Sequence, residues 1–488
     1  MYAGIDIGTS GVKVIIADGT DNILASANYR LNVQRPRLHW CEQHPSQWWE
    51  GVKICFDSLA DSHADLLHQV LGIGLSGQML GPVLIDKSDQ PIRSTILWND
   101  GRADQETSEL IAAMPDIGYR TGCNPNPGFV APKMLWLRKH EPEIISKIDC
   151  ILLPKDYVRL QLIGERGTEP TDACGTHFME ARTSRWALDL VELSGVNPDW
   201  LPPVFLPTDA GGYLKPELAL KWGVSRNTVV AMGAGDNMAG SIGVGVGSPG
   251  DAVISIGTSA VNSIVSAEYN PLPDKAVITH PHAVPNTFLS MGVVLSATSC
   301  LDWAAALTSR TVPDLVRAAE TVWQKGRTKD APIFLPYVNG IRSPHDMPKA
   351  RGLMLGLGLE TDPDMLGWSV LEGVAFHITD SFAAQRNAGI DVAHLQLIGG
   401  GSRSHLWGEM IATMNDLPMY LPVGREVGAS LGAARLAHVA SGHSNPLKIL
   451  CSKSRYEKKI IPNPAMAPLL KERYQRFQNA FELTRHIL

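Results

Sequence analysis

The chain lacks the cysteine patterns that mark disulfide frameworks or metal sites. It has only seven cysteines in 488 residues, an odd number, and no Cys-x-x-Cys pair occurs. Scattered cysteines of this kind are typical of a reduced protein, in which they pack as small hydrophobic residues. We therefore expect neither structural disulfides nor a structural metal ion.

Long apolar runs and an excess of basic charge are also missing. No uninterrupted apolar stretch approaches the roughly 20 residues of a membrane-spanning helix. The predicted first strand begins at residue 2, where a signal peptide would need its basic and apolar regions. A net charge of −6 provides no basic face of the kind that nucleic acid requires. These features predict a cytoplasmic protein with neither a nucleic-acid partner nor a membrane.

The length favours two domains, and an internal repeat supports this interpretation. Residues 2–16 and 251–261 both consist of an apolar β run, a Gly-Thr-Ser tripeptide and a second apolar β run. The two copies lie about half the chain apart, which indicates two similar domains that face each other. We predict a first domain of residues 1–242 and a second of residues 243–488, which ends in a polar helical tail on the outside. Two glycine-rich helices, 240–247 and 428–434, are predicted to cross between the domains.

Each Gly-Thr-Ser tripeptide is typical of a turn that binds phosphate, because glycine permits close approach and successive amides form an anion nest. A single copy would be interpreted as a plain hairpin turn, but the repetition favours phosphate. The first copy carries Asp6 where the second has Ser255, and one carboxylate beside phosphates is what a single Mg²⁺ requires. The predicted phosphate ligands are Gly8, Thr9, Ser10 and Lys13 in the first domain and Gly257, Thr258 and Ser259 in the second.

Asp236 is the candidate general base. Transfer of a phosphoryl group to a hydroxyl requires a group that accepts the hydroxyl proton. Asp236 follows a strand of small residues, 229–235, and precedes a glycine-rich helix whose N-terminus would point toward the phosphates. The alternative role for this carboxylate is that of a helix N-cap.

Two further sets of residues are candidates for the adenosine and for an acceptor sugar. A buried strand ends in Gly399-Gly400-Gly401, where a flat base could lie against Gly400 and Gly401. His280 and His282 suggest a metal site, but no third ligand is apparent, so a role in a loop or sheet surface is the better interpretation. The predicted sugar ligands are Gln78, Met79 and Leu80 at one strand end, Trp98, Asn99, Asp100 and Arg102 on one loop, and Asp236.

Together these motifs resemble the FGGY family of carbohydrate kinases, within the superfamily of actin-, hexokinase- and Hsp70-like ATPases, and are most similar to its D-xylulose kinases. The resemblance covers residue 1 to about residue 435. It implies an α/β fold of two actin-like (ribonuclease H-like) domains with a nucleotide and sugar cleft between them. It also implies ATP and Mg²⁺, the phosphorylation of a terminal ketose hydroxyl, with D-xylulose as the first candidate, and leaves a homodimer open. The resemblance rests on Asp6–Lys13, 77–79, 97–102, 131–136, 153–157, 235–237, 257–259 and 399–404.

The sequence departs from the xylulose kinase pattern at two positions. Those kinases have Gln-Met-His-Gly where this chain has Leu80, and Gly-Glu-Arg-Thr-Pro where it has Ile341. Both changes predict a less polar sugar pocket, so a kinase for another ketose, a deoxyketose or a polyol stays open. An actin- or Hsp70-like ATPase that acts on no sugar is a remote alternative. A sensor without kinase activity is disfavoured because Asp6 and Asp236 are both present.

Overall fold

A computed structural model describes residues 1–424, 427–442 and 445–487, and shows two lobes that are each built on a seven-stranded sheet. The elements of the first lobe are β1 (Tyr2–Ile7), β2 (Gly11–Ala17), β3 (Ile23–Arg30), β4 (Glu42–Gln43), α1 (Pro45–Leu67), β5 (Gly72–Gly77), β6 (Val83–Ile85), β7 (Thr95–Ile96), α2 (Asp104–Ala113), α3 (Ile117–Thr121), α4 (Val130–His140), α5 (Pro142–Ile145), β8 (Cys150–Leu152), α6 (Pro154–Ile163), α7 (Pro170–Ala173), β9 (Met179–Glu180), β10 (Arg185–Trp186), α8 (Leu188–Leu193), β11 (Ala210–Tyr213), α9 (Pro216–Trp222), β12 (Val229–Ala231), β13 (Ala234–Gly235) and α10 (Asp236–Gly243).

The second lobe repeats this type of organisation with longer helices. Its elements are β14 (Asp251–Ile256), β15 (Ala260–Ser266), β16 (Val277–Pro281), β17 (Phe288–Val294), α11 (Thr298–Thr308), α12 (Val312–Gln324), β18 (Ile333–Leu335), β19 (Leu353–Leu355), α13 (Pro363–Asn387), β20 (His394–Ile398), α14 (His405–Asn415), β21 (Met419–Pro422), α15 (Gly428–Ala440), α16 (Pro446–Leu450), β22 (Tyr456–Ile460) and α17 (Ala467–Thr484).

The two large sheets share a central arrangement. In the first lobe β1 pairs with β2 as an antiparallel hairpin and with β5 in parallel, in the strand order β11-β12-β5-β1-β2-β3, with β13 also on β5. In the second lobe β14 pairs with β15 and with β20 in the same two ways, in the order β16-β17-β15-β14-β20-β21-β22. The predicted hairpins and the predicted two-domain α/β class are confirmed.

Helices cover both faces of the first sheet, and the pleat distributes its side chains between them. On β2, Val12 and Val14 point into a core that contains Trp48 and Phe56 of α1. Ile15 points the other way, into a small cluster with residues of α15. Successive side chains of a strand alternate between faces, so a run buried on both faces reads as continuously apolar.

At the junction of the lobes, one helix from each half of the chain packs against residues of the other half. Helix α15 belongs to the second half of the chain but packs on the first sheet, where a Cβ at Gly4 would lie 1.8 Å from the carbonyl oxygen of Ser430. Helix α10 contributes Ile242 to a cluster with residues of the second sheet. The two helices also touch each other, since a Cβ at Gly432 would lie 1.8 Å from the carbonyl oxygen of Ala239. The predicted packing of two glycine-rich helices between the domains is confirmed.

The C-terminal tail differs from the prediction of a polar helix on the outside. Its strand β22 extends the second sheet by pairing with β21. Helix α17 inserts Leu470, Phe477 and Phe481 into the core of the second lobe. Arg473 of the same helix forms an ion pair with Glu372 at 2.6 Å, and both side chains are buried. The many charged residues on the outer face of α17 conceal its apolar stripe in the sequence.

In the part of the chain that the structure describes, every helix is too short or too polar to cross a membrane.

The close contact between α10 and α15 predicts that replacing a glycine there destabilises the protein. A Cβ at Gly243 would lie 1.8 Å from the carbonyl oxygen of Gly428, whereas a Cβ at Gly240, on the same helix, meets none of the described residues within 4 Å. Overpacking of this kind costs about 1–3 kcal/mol or more. We expect Gly243→Ala to lower the midpoint of thermal unfolding by several degrees.

Gly240→Ala is the matched control. Alanine favours a helix by about 0.5–1 kcal/mol over glycine, so this variant should unfold at the same temperature or higher. Equal melting temperatures for the two variants, measured by differential scanning calorimetry, would show that the helices are not held in the described contact.

Candidate active site

The two Gly-Thr-Ser tripeptides form equivalent tight turns, one in the central hairpin of each lobe. The amide of Gly8 donates to the carbonyl of Gly11 at 2.9 Å, and the amide of Gly257 donates to the carbonyl of Ser259 at 2.8 Å. The first turn connects β1 to β2 and the second connects β14 to β15, so the turns hold corresponding places in the two sheets. Exposed side chains at these turns are those of Ser10, Thr258 and Ser259.

Three neighbouring strands bring Asp6 and the loop of Asp236 to one edge of the first sheet. Asp6 on β1 is in register with Ser76 on β5, and Ser76 is in register with Ala234 on β13. The hydroxyl of Ser76 donates to Oδ1 of Asp6 at 3.1 Å. Lys13 lies opposite Asp6 across the hairpin. Since the carboxyl ends of parallel strands meet at one edge, Asp236 emerges beside Asp6.

Asp236 is the first residue of α10, and its environment changes its acidity. Gly235 occupies the N-cap position, so the alternative role of Asp236 as an N-cap is wrong. Nδ2 of Asn237 donates to Oδ1 of Asp236 at 2.9 Å. Burial raises the pKa of Asp236 to about 7, and the nearby charge of Asp6 also raises it. Burial likewise raises the pKa of Asp6, although a hydrogen bond and a nearby lysine lower it. A carboxylate that ionises near neutral pH is suited to accept a proton.

The turn 399–401 lies beside the second Gly-Thr-Ser turn because β20 runs parallel to β14, with Ile398 opposite Ser255. Close packing on Ile256 explains why residues 399 and 401 are glycines. A Cβ at Gly399 would lie 2.4 Å from the carbonyl oxygen of Ile256, and a Cβ at Gly401 would lie 2.4 Å from its Cγ2. Gly400 is exposed, and a Cβ there meets none of the described residues within 4 Å. Of the two predicted adenosine contacts, Gly400 thus has the open face and Gly401 is buried.

A cavity of about 410 Å³ lies between the lobes, next to Asp236. This volume falls in the range of small-molecule sites. The cavity joins a polar part, at Asp236, to a large apolar part contributed mainly by the second sheet. Its lining comprises Met79, Leu80, Trp98, Asn126, Phe129, Asp236 and Asn237 from the first lobe, and Ser259, Val261, Ile278, His280, Met291, Val293, Leu295 and Arg342 from the second.

A chain of hydrogen bonds links Trp98 to the first phosphate turn. Trp98 is 49% exposed, and its Nε1 donates to the hydroxyl oxygen of Thr9 at 3.0 Å. That hydroxyl donates to Oε1 of Gln78 at 2.9 Å, and Nε2 of Gln78 donates to Oε1 of Gln43 at 2.9 Å. The amide of Gln78 is therefore engaged within the protein, whereas its neighbour Met79 lines the cavity.

The structure places Asp100 and Arg102 in a buried ion pair instead of at the cavity wall. The carboxylate of Asp100 accepts from Nη2 of Arg102 at 2.7 Å and from the amide of Cys41 at 2.6 Å. Arg102 also pairs with Glu42 at 2.7 Å and lies over the ring of Trp40 at 3.6 Å. These contacts engage both side chains and hold the loop that carries Trp98. The remaining predicted residue of this loop, Asn99, is exposed.

Leu80 lines the cavity in an unusual backbone conformation, with φ of 69°. A Cβ at Gly175 would lie 2.2 Å from Cδ2 of Leu80, so the leucine packs directly on that glycine. The buried ammonium of Lys133 donates to the carbonyl of Leu80 at 2.8 Å. An apolar side chain thus stands where the resemblance predicts histidine.

Ile341 does not extend this apolar wall, contrary to expectation. It is part of the hydrophobic core of the second lobe, and the cavity is lined by its neighbour Arg342. Sequence reasoning also missed Asn126 and Phe129. The loop of Asn126 is rich in Asn, Pro and Gly, which predicts a turn but not its proximity to Asp236.

His280 and His282 contact different partners and do not form a metal site. Nε2 of His282 lies 3.2 Å from the carbonyl oxygen of Val246, while Nε2 of His280 lies 3.9 Å from Sγ of Cys123. Burial lowers the pKa of His280 to about 3 and that of His282 to about 4. Among the described residues, no group of three or more His, Cys, Asp or Glu could hold a metal ion.

Comparisons with known proteins agree with this architecture over the whole chain. The N-terminal domain model of the FGGY family of carbohydrate kinases matches residues 1–243, and the C-terminal domain model matches residues 252–441. The chain is 39% identical over 483 residues to a xylulose kinase of Escherichia coli (strain K12), with 99% of each chain covered. It is 41% identical over 442 residues to a xylulose kinase of Klebsiella pneumoniae, with 90% of each covered. The crystal structure of a xyloylose kinase from Brucella ovis superposes with a TM-score of 0.95 at 38% identity, covering all of both chains. The chain therefore belongs to the FGGY family of carbohydrate kinases.

Proposed function

We propose that this carbohydrate kinase phosphorylates D-xylulose at its terminal hydroxyl, with ATP as the phosphate donor, to give D-xylulose 5-phosphate. One observation carries the proposal: the Asp236 carboxyl, with a pKa of about 7, opens onto the cavity between the two lobes. The names of the relatives from Escherichia coli and Klebsiella pneumoniae support the choice of sugar.

In this mechanism Asp236 accepts the proton of the attacking hydroxyl. The hydroxyl oxygen forms a bond to the γ-phosphorus as the bond from that phosphorus to the bridging oxygen of ADP breaks. The proton passes to the carboxylate of Asp236, and the electron pair of the broken bond stays on ADP. Asn237 orients the carboxylate through its 2.9 Å hydrogen bond.

The two turns would bind the phosphates from opposite lobes. In the first turn, the amides of Thr9 and Ser10 and the Ser10 hydroxyl would act together with Lys13, with Gly8 permitting close approach. In the second turn, the amides and hydroxyls of Thr258 and Ser259 would face them, with Gly257 in the role of Gly8. The exposed Gly400 offers backbone on which adenosine can lie. Because the phosphates contact both lobes, their binding favours a closed cleft, which excludes water from the reaction.

Asp6 suits a magnesium site. Its carboxylate lies at the same sheet edge as Asp236, and burial and mutual repulsion raise the pKa of Asp236. A cation held by Asp6 would relieve this repulsion, and carboxylates are preferred Mg²⁺ ligands. Mg²⁺ would neutralise charge on the transferred phosphoryl group.

The sugar would contact the groups that line the cavity. Trp98 provides an aromatic face, and Asn126, Asn237 and Arg342 provide hydrogen-bonding groups. We assign Asp100 and Arg102 to the support of the Trp98 loop, since their polar groups are engaged with each other and with Glu42. The proposed location is the cytoplasm, and the homodimer stays a prediction.

A second candidate substrate is a ketose that lacks one hydroxyl. Leu80 is the observation that favours it, because its apolar side chain lines the cavity and offers a sugar hydroxyl no hydrogen bond. Apolar pockets reject an added hydroxyl only by about 10²-fold, so both substrates would be turned over.

Replacement of the proposed base gives the first test. We expect Asp236→Asn to lower kcat by about 10²–10⁴-fold, which is the usual contribution of a general base. The affinity for ATP, measured by isothermal titration calorimetry, should change little. Asp61→Asn makes the same change at an exposed carboxylate of α1, outside the proposed site, and should keep most of the turnover. An Asp236→Asn variant that retains more than about a tenth of kcat would refute the assigned role.

The pH dependence follows from the raised pKa of Asp236. Only the ionised carboxylate can accept a proton, and burial, the larger cause of the raised pKa, persists when Mg²⁺ is bound. We therefore expect kcat/KM for the sugar to increase as the pH rises from acidic values toward about 7. The residual activity of Asp236→Asn should not show this increase with pH. A wild-type profile that is flat between about pH 5.5 and about pH 8 would contradict the assignment.

Leu80→His tests which sugar the pocket favours. Histidine restores a donor and an acceptor, so the variant should improve kcat/KM for D-xylulose relative to a deoxyketose by about tenfold or more. Leu80→Met keeps an apolar side chain and should leave that ratio near the wild-type value. If the wild type already prefers D-xylulose strongly and Leu80→His leaves the ratio unchanged, Leu80 does not select the substrate.

A further inference from the structure

A fully buried ionic cluster lies behind the loop that carries Asp236. Nζ of Lys155, in the first turn of α6, is 2.7 Å from Asp156, 3.0 Å from Glu169 and 3.7 Å from Asp172. All four side chains have no exposed surface. Removing such ions from water is unfavourable, and only close ion pairs with further hydrogen bonds compensate for it. A cluster of this kind points to a role in fixing local structure.

Glu169 connects this cluster to the short helix α7. It is the N-cap residue of α7, and its carboxylate accepts from the amides of Thr171 at 2.7 Å and Asp172 at 3.2 Å. It also accepts from the hydroxyl of Thr171 at 2.9 Å. A hydroxyl has a single hydrogen, so this bond leaves the Thr171 oxygen to act as an acceptor.

The Thr171 oxygen accepts from the amide of Gly235, the residue directly before Asp236, at 2.9 Å. Gly235 is confined from two other sides as well. It is in register with Gly77 of β5, and a Cβ on it would lie 2.7 Å from Sδ of Met79. The hydroxyl of Thr171 therefore completes the fixation of the backbone at the start of α10.

We propose that Thr171 is a positioning residue for Asp236. Its hydroxyl, oriented by Glu169, fixes the amide of Gly235 and thereby the direction of the carboxylate that follows. The inference rests on the proposed role of Asp236 as the base. A misplacement of about 1 Å in such a group can cost about 10²-fold in rate.

Thr171→Val and Thr171→Ser separate the hydroxyl from the shape of the side chain. Valine has a similar volume but leaves the amide of Gly235 buried without an acceptor. We expect it to lower kcat about 10–100-fold at saturating sugar, with KM for ATP within about twofold of wild type. Serine keeps the donor and the acceptor, so its kcat should stay within about threefold. A valine variant that keeps more than about a third of kcat, or a serine variant as impaired as valine, would overturn the proposal.

Thr168→Val is the matched control for loss of a buried hydroxyl. Thr168 is equally buried, and its hydroxyl donates at 2.7 Å to Asp156, another carboxylate beside Lys155. We expect this variant to melt at a lower temperature but to keep its kcat. A loss of kcat equal to that of Thr171→Val would attribute both effects to general loosening and refute a positioning role.

Combination with Asp236→Asn shows whether the effect passes through the carboxylate. If Thr171 acts only by placing Asp236, the double variant should have the same residual turnover as Asp236→Asn alone. If the double variant instead loses kcat by the product of the two single-variant factors, the inference is overturned. Asp236→Asn by itself distinguishes the two proposals: if it stays active, the role of Asp236 fails, and the inference with it. If it is inactive while Thr171→Val is unimpaired, only the inference fails.

Discussion

The close contact between two glycine-bearing helices is the constraint on which the active site depends. Helices α10 and α15 approach so closely that a Cβ at Gly243 or Gly432 would overlap a carbonyl oxygen of the other helix. Because α10 begins at Asp236, this contact sets the position of the proposed base relative to the second lobe. Because α15 packs on the first sheet, it also links that sheet, with its phosphate turn, to the second half of the chain. A change in backbone separation of a few tenths of an ångström would therefore reach both.

Local patterns in the sequence predict much of this arrangement. The two hairpins follow from apolar runs around Gly-Thr-Ser, and the crossing helices follow from their small residues. Strand ends at Asp6, Ser76 and Ala234 line up because parallel strands share an edge. The general location of Asp236 could be predicted since it depends on backbone topology, which short motifs determine well.

Side-chain partners distant in sequence could not be predicted. Asp100 and Arg102 have the chemistry of sugar ligands, but they pair with each other, and Glu42 and Trp40 hold Arg102 away from the cavity. Ile341 has the pattern of a cavity residue but lies in the core, next to the residue that does line the cavity. The sequence also conceals the role of Thr171, because its two partners are two and 64 residues away. Such choices depend on tertiary packing, which composition and spacing do not encode.

Leu80 and Gly175 impose a joint limit on how this pocket can evolve. A leucine with φ of 69° is costly by about 1–2 kcal/mol, and histidine and asparagine tolerate that conformation better. Its side chain is accommodated because residue 175 has no Cβ, which would otherwise lie 2.2 Å from it. A larger residue at position 175 would force the Leu80 side chain to rotate or to be replaced, whereas residue 80 can change while glycine is kept. Substrate preference in this enzyme could thus change through residue 80 alone, whereas a change at residue 175 would also alter the position of the Leu80 side chain.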